Sequence, residues 1–386
     1  MFKMRLITIS ILNTTIIGGL TLLDSGAYAS GFQRIIDFAY DNPAIMNHTV
    51  KKAEATIGNN LMYGLFTYKG QAGSLYGRSD SKEFYNYPYG RLAYRFHPKW
   101  MGGIDVTHLS YTNIVFPVNS VARQIATSIV LQTIAISPRL SYLVTKSLAV
   151  GLALNFDTTY KTKLDNVVNP NGELKNHSSS REPALGWGVG ISYAAPTKTT
   201  IDLSYFSKIV HPTTGSSTWG TAQTYNYAIT YPLPAIANLG VAQKIQEKWL
   251  VKGNLRYQWW DTFDYLNLRN TALGRNILVP EFYNNTWIYT LAAHYQTNDK
   301  LGFSGGVEYN QSPQSITYRN AGLAVYRSLV VGGGFDYAFT KALTGKFIYG
   351  HAFSNPPIDR TASAGLVRGK ETINSNNFDF TLTWHI

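Results

Sequence analysis

The feature that most constrains this chain is a regular alternation of apolar and polar residues, clearest at its C-terminal end. There Phe378, Phe380, Leu382, Trp384 and Ile386 alternate with Asn377, Asp379, Thr381, Thr383 and His385. Because every second side chain of a β-strand points to the same face, this segment predicts a strand with one apolar and one polar face. One such strand fits a soluble sandwich as well as a membrane barrel.

The same alternation recurs in segment after segment, which a soluble sandwich does not explain. Apolar faces occupy alternate positions of segments 148–156, 185–193, 287–295, 301–309 and 329–339, and the residues between are small or polar. Only 15% of the residues are charged, compared with about 25% in soluble domains. The pattern predicts strands that turn an apolar face to lipid and a small or polar face to a lumen.

Short turns alternate with longer polar segments, and together they predict the number of strands. The six short turns each contain a lysine, namely Lys99, Lys146, Lys198, Lys248, Lys300 and Lys341. The seven longer segments lie near 70–83, 114–128, 160–182, 210–223, 261–285, 310–327 and 353–375. This predicts an all-β fold, a 14-stranded antiparallel transmembrane β-barrel with short periplasmic turns and long extracellular loops. Because unpaired backbone groups cannot persist in hydrocarbon, the last strand must pair with the strand near 55–68.

The N-terminus carries the pattern of an export signal. Lys3 and Arg5 precede a mostly apolar stretch, and Ala27-Tyr28-Ala29 provides small residues at the two positions that a signal peptidase reads. We therefore expect a cleaved signal peptide at 1–29 rather than a membrane anchor. The chain has no cysteine, which excludes a disulfide framework, and its net charge is +12. In an exported barrel this charge indicates contact with anionic outer-membrane lipid and lipopolysaccharide, and no nucleic-acid partner is expected.

Basic residues on the predicted inner face are the candidate ligand-binding groups. Arg91 and Arg95 share one face of the second strand, and Arg139 and Arg256 take the equivalent position on later strands. A charge on the lipid face costs roughly 2–4 kcal/mol at the bilayer midplane, so these residues belong inside. There Arg91, Arg139 and Arg256 could bind a carboxylate. The alternative is that they pair with inward acids such as Glu308, Asp336 and Asp379.

The sequence offers little for catalysis. The eight histidines have no metal-ligand spacing, and the chain lacks the H-E-x-x-H and G-x-S-x-G patterns. His294 and Ser304 are predicted to face inward on neighbouring strands, which leaves a membrane lipase as an enzyme alternative. The expectation is that the protein is not an enzyme, has no catalytic residues and needs no metal or cofactor.

Three stretches resemble the outer-membrane long-chain fatty-acid transporter family (FadL/TodX-type hydrophobic-compound transporters). They are Gly31-Phe32-Gln33 with Asn42-Pro43-Ala44, the segment 232–241 with Trp259-Trp260-Asp261-Thr262-Phe263, and the segments 286–295, 298–301 and 309–313. The resemblance implies an N-terminal hatch inside the barrel that contains Gly31, Phe32, Gln33, Asn42, Pro43 and Ala44. It also implies that Phe32 lines the inner ligand site and that cargo leaves through a gap near a kinked third strand. After the predicted cleavage, only the twelve residues Ser30 to Asp41 precede Asn42. The corresponding part of the family's hatch is usually longer.

These observations predict three regions: a signal peptide at 1–29, a hatch at 30–54 and the barrel at 55–386. The expected function is passive uptake of hydrophobic compounds, with long-chain fatty acids as the first candidate cargo, across the outer membrane of a Gram-negative bacterium. Alternatives are an aromatic-hydrocarbon importer of the same family, a general porin and an outer-membrane lipase. The barrel is expected to be a monomer whose partner is a small hydrophobic ligand.

Overall fold

A computed structural model describes residues 42–168, 172–260, 263–319, 327–360 and 367–386. They form a closed antiparallel barrel of fourteen strands, as the sequence predicted. Seven of the strands are interrupted once. In chain order the strands are β1 (Ala53–Ala72), β2 (Leu75–His97), β3 (Trp100–Thr107 and Tyr111–Val115), β4 (Ser128–Leu143), β5 (Leu148–Val167), β6 (Glu173–Ser179 and Ala184–Ala194), β7 (Thr199–Phe206 and Ile209–Trp219), β8 (Ala222–Leu233 and Ala235–Ile245), β9 (Trp249–Trp259 and Tyr265–Arg269), β10 (Ile277–Pro280 and Thr286–Gln296), β11 (Leu301–Asn310), β12 (Ser328–Ala338), β13 (Leu343–Ser354 and Pro357–Asp359) and β14 (Val367–His385).

Helical structure is limited to short turns in the described residues. A 3-10 turn at Pro43–Ile45 leads into a single-turn helix, α1 (Met46–Thr49), and a second 3-10 turn spans Val121–Gln124. No helix among the described residues is long and apolar enough to cross a membrane. The predicted signal peptide and the residues up to Asp41 lie outside the described part of the chain.

The barrel closes by pairing its first and last strands, as predicted. The ladder between β1 and β14 runs from Glu54 opposite His385 to Ala72 opposite Val367. Backbone hydrogen bonds between Ala53 and Ile386 extend it at the end of the barrel that carries the short turns. All backbone groups of these two strands within the hydrocarbon therefore have a neighbouring strand on each side, which a lipid environment requires.

The outer face is apolar and carries aromatic residues near both ends. On β9, Trp249 packs against Tyr295 at one end, and Trp259 packs against Tyr205 and Tyr257 at the other. These two tryptophans are ten residues apart, which corresponds to about 33 Å along a strand and about 25 Å of membrane height at the usual strand tilt. This spacing matches the apolar band of outer-membrane barrels, with an aromatic girdle at each interface.

Several segments predicted to be long loops are strands instead. β1 and β2 meet in a tight turn at 73–74, where Gly73 has a φ of +60°. The predicted loops at 160–182 and 210–223 are also mostly strand. Above the membrane both faces of a hairpin contact polar surroundings, so the apolar alternation ends while the backbone ladder continues. The sequence pattern therefore underestimated the length of the hairpins at the end of the barrel opposite the short turns.

Candidate functional site: the barrel interior

The first described residues, 42–50, pack against the inner face of the wall. Asn42 precedes the 3-10 turn, and its side-chain Oδ1 accepts a hydrogen bond from the backbone N–H of Ala44 at 3.0 Å. Its Nδ2 donates to the carbonyl of Ile191 at 2.7 Å and to Asp202 Oδ1 at 3.3 Å. Pro43 follows at the first helical position, where its missing N–H costs nothing. Asn42-Pro43-Ala44, predicted from the resemblance as part of a hatch, thus form a compact turn anchored to β6 and β7.

Glycines of the wall make room for this segment. A Cβ on Gly190 would lie under 3.0 Å from the Asn42 side chain, and one on Gly151 would lie 2.5 Å from the carbonyl carbon of Pro43. Gly103 faces Met46 in the same way, with a Cβ-to-sulfur distance of 3.0 Å. The small inward-facing residues of these strands therefore leave the space in which the N-terminal segment packs.

Arg95 fixes the other end of the segment. Its guanidinium donates to the backbone carbonyls of Asn47, Val50 and Lys51 at 2.7–3.0 Å and to Asn47 Oδ1 at 2.7 Å. These carbonyls include those left unpaired at the end of helix α1, where a cation is favourable. Asn47 also donates to Ser141 Oγ at 2.7 Å. The segment is thus held at both ends, and a cation that the sequence placed inside the barrel holds one of them.

The three predicted carboxylate-binding arginines all lie inside, and polar side chains already contact each of them. Arg91 Nε and Arg139 Nε lie 2.7 Å and 2.5 Å from the two oxygens of one buried carboxylate, Asp105. Arg256 Nε donates to Asn238 Oδ1 at 2.7 Å. Arg91 and Arg139 therefore share Asp105 of β3, an inward acid that the sequence analysis did not name.

The half of the interior nearer the longer hairpins is apolar and aromatic. Inward side chains of many strands and of the described loop residues form one contiguous buried cluster, here called the apolar cluster. Its largest members are Phe66, Tyr68, Tyr85, Tyr87, Phe116, Tyr227, Tyr231, Trp260, Phe263 and Tyr283. Parity could have revealed part of it, because Tyr85 and Tyr87 share the face of β2 that contains Arg91. The prediction of a small or polar inner face is correct only for the half nearer the short turns.

The third strand breaks where the resemblance predicted a kink. The ladder between β2 and β3 begins at His97 opposite Trp100 and ends at Gly90 opposite Val106. Beyond the break at 108–110, the second segment of β3 pairs only with β4 among the described strands. Its backbone N–H at Val115 donates instead to inward side chains of β2, Ser81 and Glu83, each at 3.1 Å. The upper part of β3 therefore bends inward, and the β2–β3 ladder is open above Gly90.

The two residues considered for a lipase do meet, but without catalytic geometry. His294 Nδ1 lies 3.0 Å from Ser304 Oγ and 3.5 Å from Asp336 Oδ1, and its Nε2 faces Gln296 Oε1 at 3.1 Å. A hydrolase needs the serine at one ring nitrogen and the carboxylate at the other. Here both approach the same nitrogen, which favours the interpretation of a polar lumen network. Nor do the described residues include a cluster of three or more His, Cys, Asp or Glu that could hold a metal ion.

Three of the predicted hatch residues, Gly31, Phe32 and Gln33, lie outside the described residues. The geometry above therefore bears on the hatch only from Asn42 onward. Barrel strand β1 begins at Ala53, next to the predicted start of the barrel at 55.

Comparisons with known proteins agree on one family. The profile of the family described as "Outer membrane protein transport protein (OMPP1/FadL/TodX)" matches residues 12–356. The long-chain fatty acid transport protein of Escherichia coli strain K12 is 20% identical over 181 residues, which are 43% of this chain and 41% of that protein. This alignment thus spans about two fifths of the curated relative.

Solved structures share the fold over almost their whole length. A FadL homologue of Pseudomonas aeruginosa superposes with a TM-score of 0.77 at 16% identity, covering 95% of this chain and 98% of that chain. The toluene transporter TbuX of Ralstonia pickettii gives a TM-score of 0.71 at 16% identity, covering 97% and 99%. At this identity the likeness establishes the barrel and leaves the cargo open.

Proposed function

This chain belongs to the outer membrane protein transport family (OMPP1/FadL/TodX), and on that premise we propose that it is a passive channel for long-chain fatty acids. It would act in the outer membrane of a Gram-negative bacterium, as a monomer and without catalysis. Members of this family transport hydrophobic compounds. The choice of fatty acids within that class is the proposal.

The observation that carries the proposal is the division of the interior into an apolar half and a basic half. The inner face of β2 passes from Tyr85 and Tyr87 of the apolar cluster to the buried Tyr89 and then to Arg91. Tyr87 and Arg91 are four residues apart, or about 13 Å along a strand. An alkyl tail among the aromatic rings would therefore bring its carboxylate within reach of Arg91 and Arg139. Burying that carboxylate without a cation would be very unfavourable.

Residues 42–50 act in this proposal as a plug below the ligand. Their support is the set of contacts to Ile191, Asp202, Ser141 and Arg95. Phe32, ten residues before Asn42, is expected to reach the inner ligand site. The inward bend of β3 supports a lateral exit between β2 and β3, through which an apolar cargo would enter the membrane without crossing water.

A neutral aromatic hydrocarbon is the second candidate cargo. The supporting observation is that Asp105 already pairs with both Arg91 and Arg139, so these cations have a structural role that needs no ligand. The aromatic character of the apolar cluster suits such a cargo equally. A general porin is less favoured, since residues 42–50 and the apolar cluster occupy the interior.

The test compares oleate and toluene binding to Arg91→Ala, Arg139→Ala and Arg256→Ala. We expect at least one of the first two variants to lose about tenfold in oleate affinity, the value of one charge-assisted hydrogen bond, and to keep its toluene affinity. Dissociation constants are measured in proteoliposomes, with partition into empty liposomes subtracted. Arg256→Ala provides the comparison with an inward arginine that donates to the side-chain amide of Asn238. If all three variants bind oleate as tightly as the wild type does, these arginines do not bind the carboxylate, and the neutral cargo is favoured.

A further inference from the structure

A buried, hydrogen-bonded pair of an aspartate and a histidine lies inside the barrel away from the arginines. Asp157 on β5 and His211 on β7 have no exposed side-chain surface, and His211 Nε2 lies 2.8 Å from Asp157 Oδ2. The two side chains meet beside the interruption of β6, because Asp157 pairs with Ala184, the first residue after that break. The imidazole stacks on Tyr231, with ring centroids 4.8 Å apart and planes 8° from parallel.

Each member of the pair has a second polar atom without a partner. Asp157 Oδ1 and His211 Nδ1 are buried and make no hydrogen bond to any described residue. In the tautomer that donates from Nε2 to the carboxylate, Nδ1 presents a lone pair. In this tautomer both atoms without a partner are acceptors. Buried acceptors of this kind are uncommon because their lost hydration is not replaced.

The orphaned acceptors adjoin the proposed ligand region. Tyr231, on which His211 stacks, belongs to the apolar cluster, and its hydroxyl lies 2.5 Å from Thr159 Oγ1 on the same face of β5 as Asp157. Asn155 Oδ1, two residues before Asp157, is a third buried oxygen without a hydrogen bond. The apolar cluster is thus bordered by a group of polar atoms, Asp157 Oδ1, His211 Nδ1 and Asn155 Oδ1, that can accept hydrogen bonds.

We propose that Asp157 and His211 form a binding site for the hydroxyl group of a hydrophobic ligand. This inference rests on the proposed transport of hydrophobic compounds and narrows their class. A hydroxyl group of the ligand donates a hydrogen bond to a buried acceptor, whereas a pure hydrocarbon has no group that can donate one. A carboxylate anion brings only acceptors and is repelled by Asp157. The site therefore selects hydrophobic alcohols, phenols and undissociated carboxylic acids, and it is distinct from the carboxylate site proposed at Arg91 and Arg139.

The experiment uses p-cresol and p-xylene, which differ only by a hydroxyl in place of a methyl group. Affinities are measured with the full mature chain in proteoliposomes, with empty liposomes subtracted. The wild type is expected to bind p-cresol about tenfold more tightly than p-xylene, as one hydrogen bond to a charged group predicts. The double variant Asp157→Leu, His211→Phe removes both hydrogen-bond acceptors and keeps an aromatic ring stacked on Tyr231. We expect this variant to lose the preference for p-cresol while its affinity for p-xylene stays unchanged.

Two further variants keep the test decisive. If the double variant does not fold, Asp157→Asn retains the shape of the side chain and is expected to reduce the preference several-fold. His177→Phe is the matched control, because His177 also pairs with an inward aspartate, Asp165, at 3.0 Å, and it should leave the preference intact.

The two proposals fail in different ways. The hydroxyl site is wrong if the Asp157 variants keep the preference for p-cresol, or if the wild type shows no such preference. In either case the two acceptors bind only water. If neither compound nor oleate binds above the empty-liposome level, the proposed transport function itself fails.

Discussion

Replacing Gly190 by alanine should release the N-terminal segment from the wall and open the channel to ions. A Cβ at this position would lie under 3.0 Å from the Asn42 side chain, so Asn42 must move. Its three hydrogen bonds, with Ile191, Asp202 and Ala44, all depend on its present position. At about 1 kcal/mol each, their loss amounts to about 3 kcal/mol, or about a hundredfold shift toward the released segment.

Gly240→Ala is the matched control. It also faces the lumen, but its Cβ would meet its nearest neighbour, the Cβ of Asp202, at 3.7 Å, an ordinary contact. Single-channel conductance in planar bilayers is the assay, and Gly190→Ala should show open events at least ten times as often as Gly240→Ala. Equal conductance in the two variants, together with unchanged conductance after deletion of residues 30–44, would refute the idea that this segment is a plug.

Three further predictions concern stability and charge. Asp105→Asn leaves two inward arginines without their shared carboxylate and should cost about 3 kcal/mol in urea unfolding from lipid vesicles; a loss below about 0.5 kcal/mol would mean that the ion pairs are not needed. Leu152→Arg places a charge on the lipid face, where the residue is now 58% exposed, and should cost roughly 2–4 kcal/mol in the same assay, whereas a cost near zero would put this face outside the hydrocarbon. Hydrogen bonds from Lys198, in a short turn, and from Lys244, near the end of β8, lower the pKa of Glu247 to about 2, so its contribution to stability is complete above about pH 4.5 and is lost as the pH falls toward 2. Carboxyl NMR should find that midpoint, and a midpoint near 4.5 would show that the lysines do not hold Glu247 in solution.

The sequence predicted the barrel because its wall obeys a local rule. Alternation along each strand assigns every side chain to lipid or lumen, and a slip of one residue would reverse all of them. The strand count followed from the succession of short turns and longer polar segments, and the pairing of β14 with β1 followed from the need to pair every backbone group in hydrocarbon. The rule does not extend above the membrane, and for this reason the long hairpins were mistaken for loops.

Contacts inside the barrel depend on which strands face each other across the lumen and on breaks in the wall. Asp105 could not be chosen as the partner of Arg91 and Arg139 without the register of β2, β3 and β4. Contact between Asp157 and His211 needs the interruption of β6, which alternation does not reveal. The predicted arginines were therefore placed on the correct face, while their partners could not be predicted.

The seam between β1 and β14 has a consequence for how the chain assembles. Glu54 pairs with His385, so the contact that completes the wall joins residues more than 300 positions apart. Until the last strand arrives, β1 presents a free edge that lipid cannot satisfy. Such long-range pairing is slow to form. The barrel therefore cannot be built into the membrane strand by strand during synthesis, and any factor that assists its insertion must protect the first edge until the final strand is delivered.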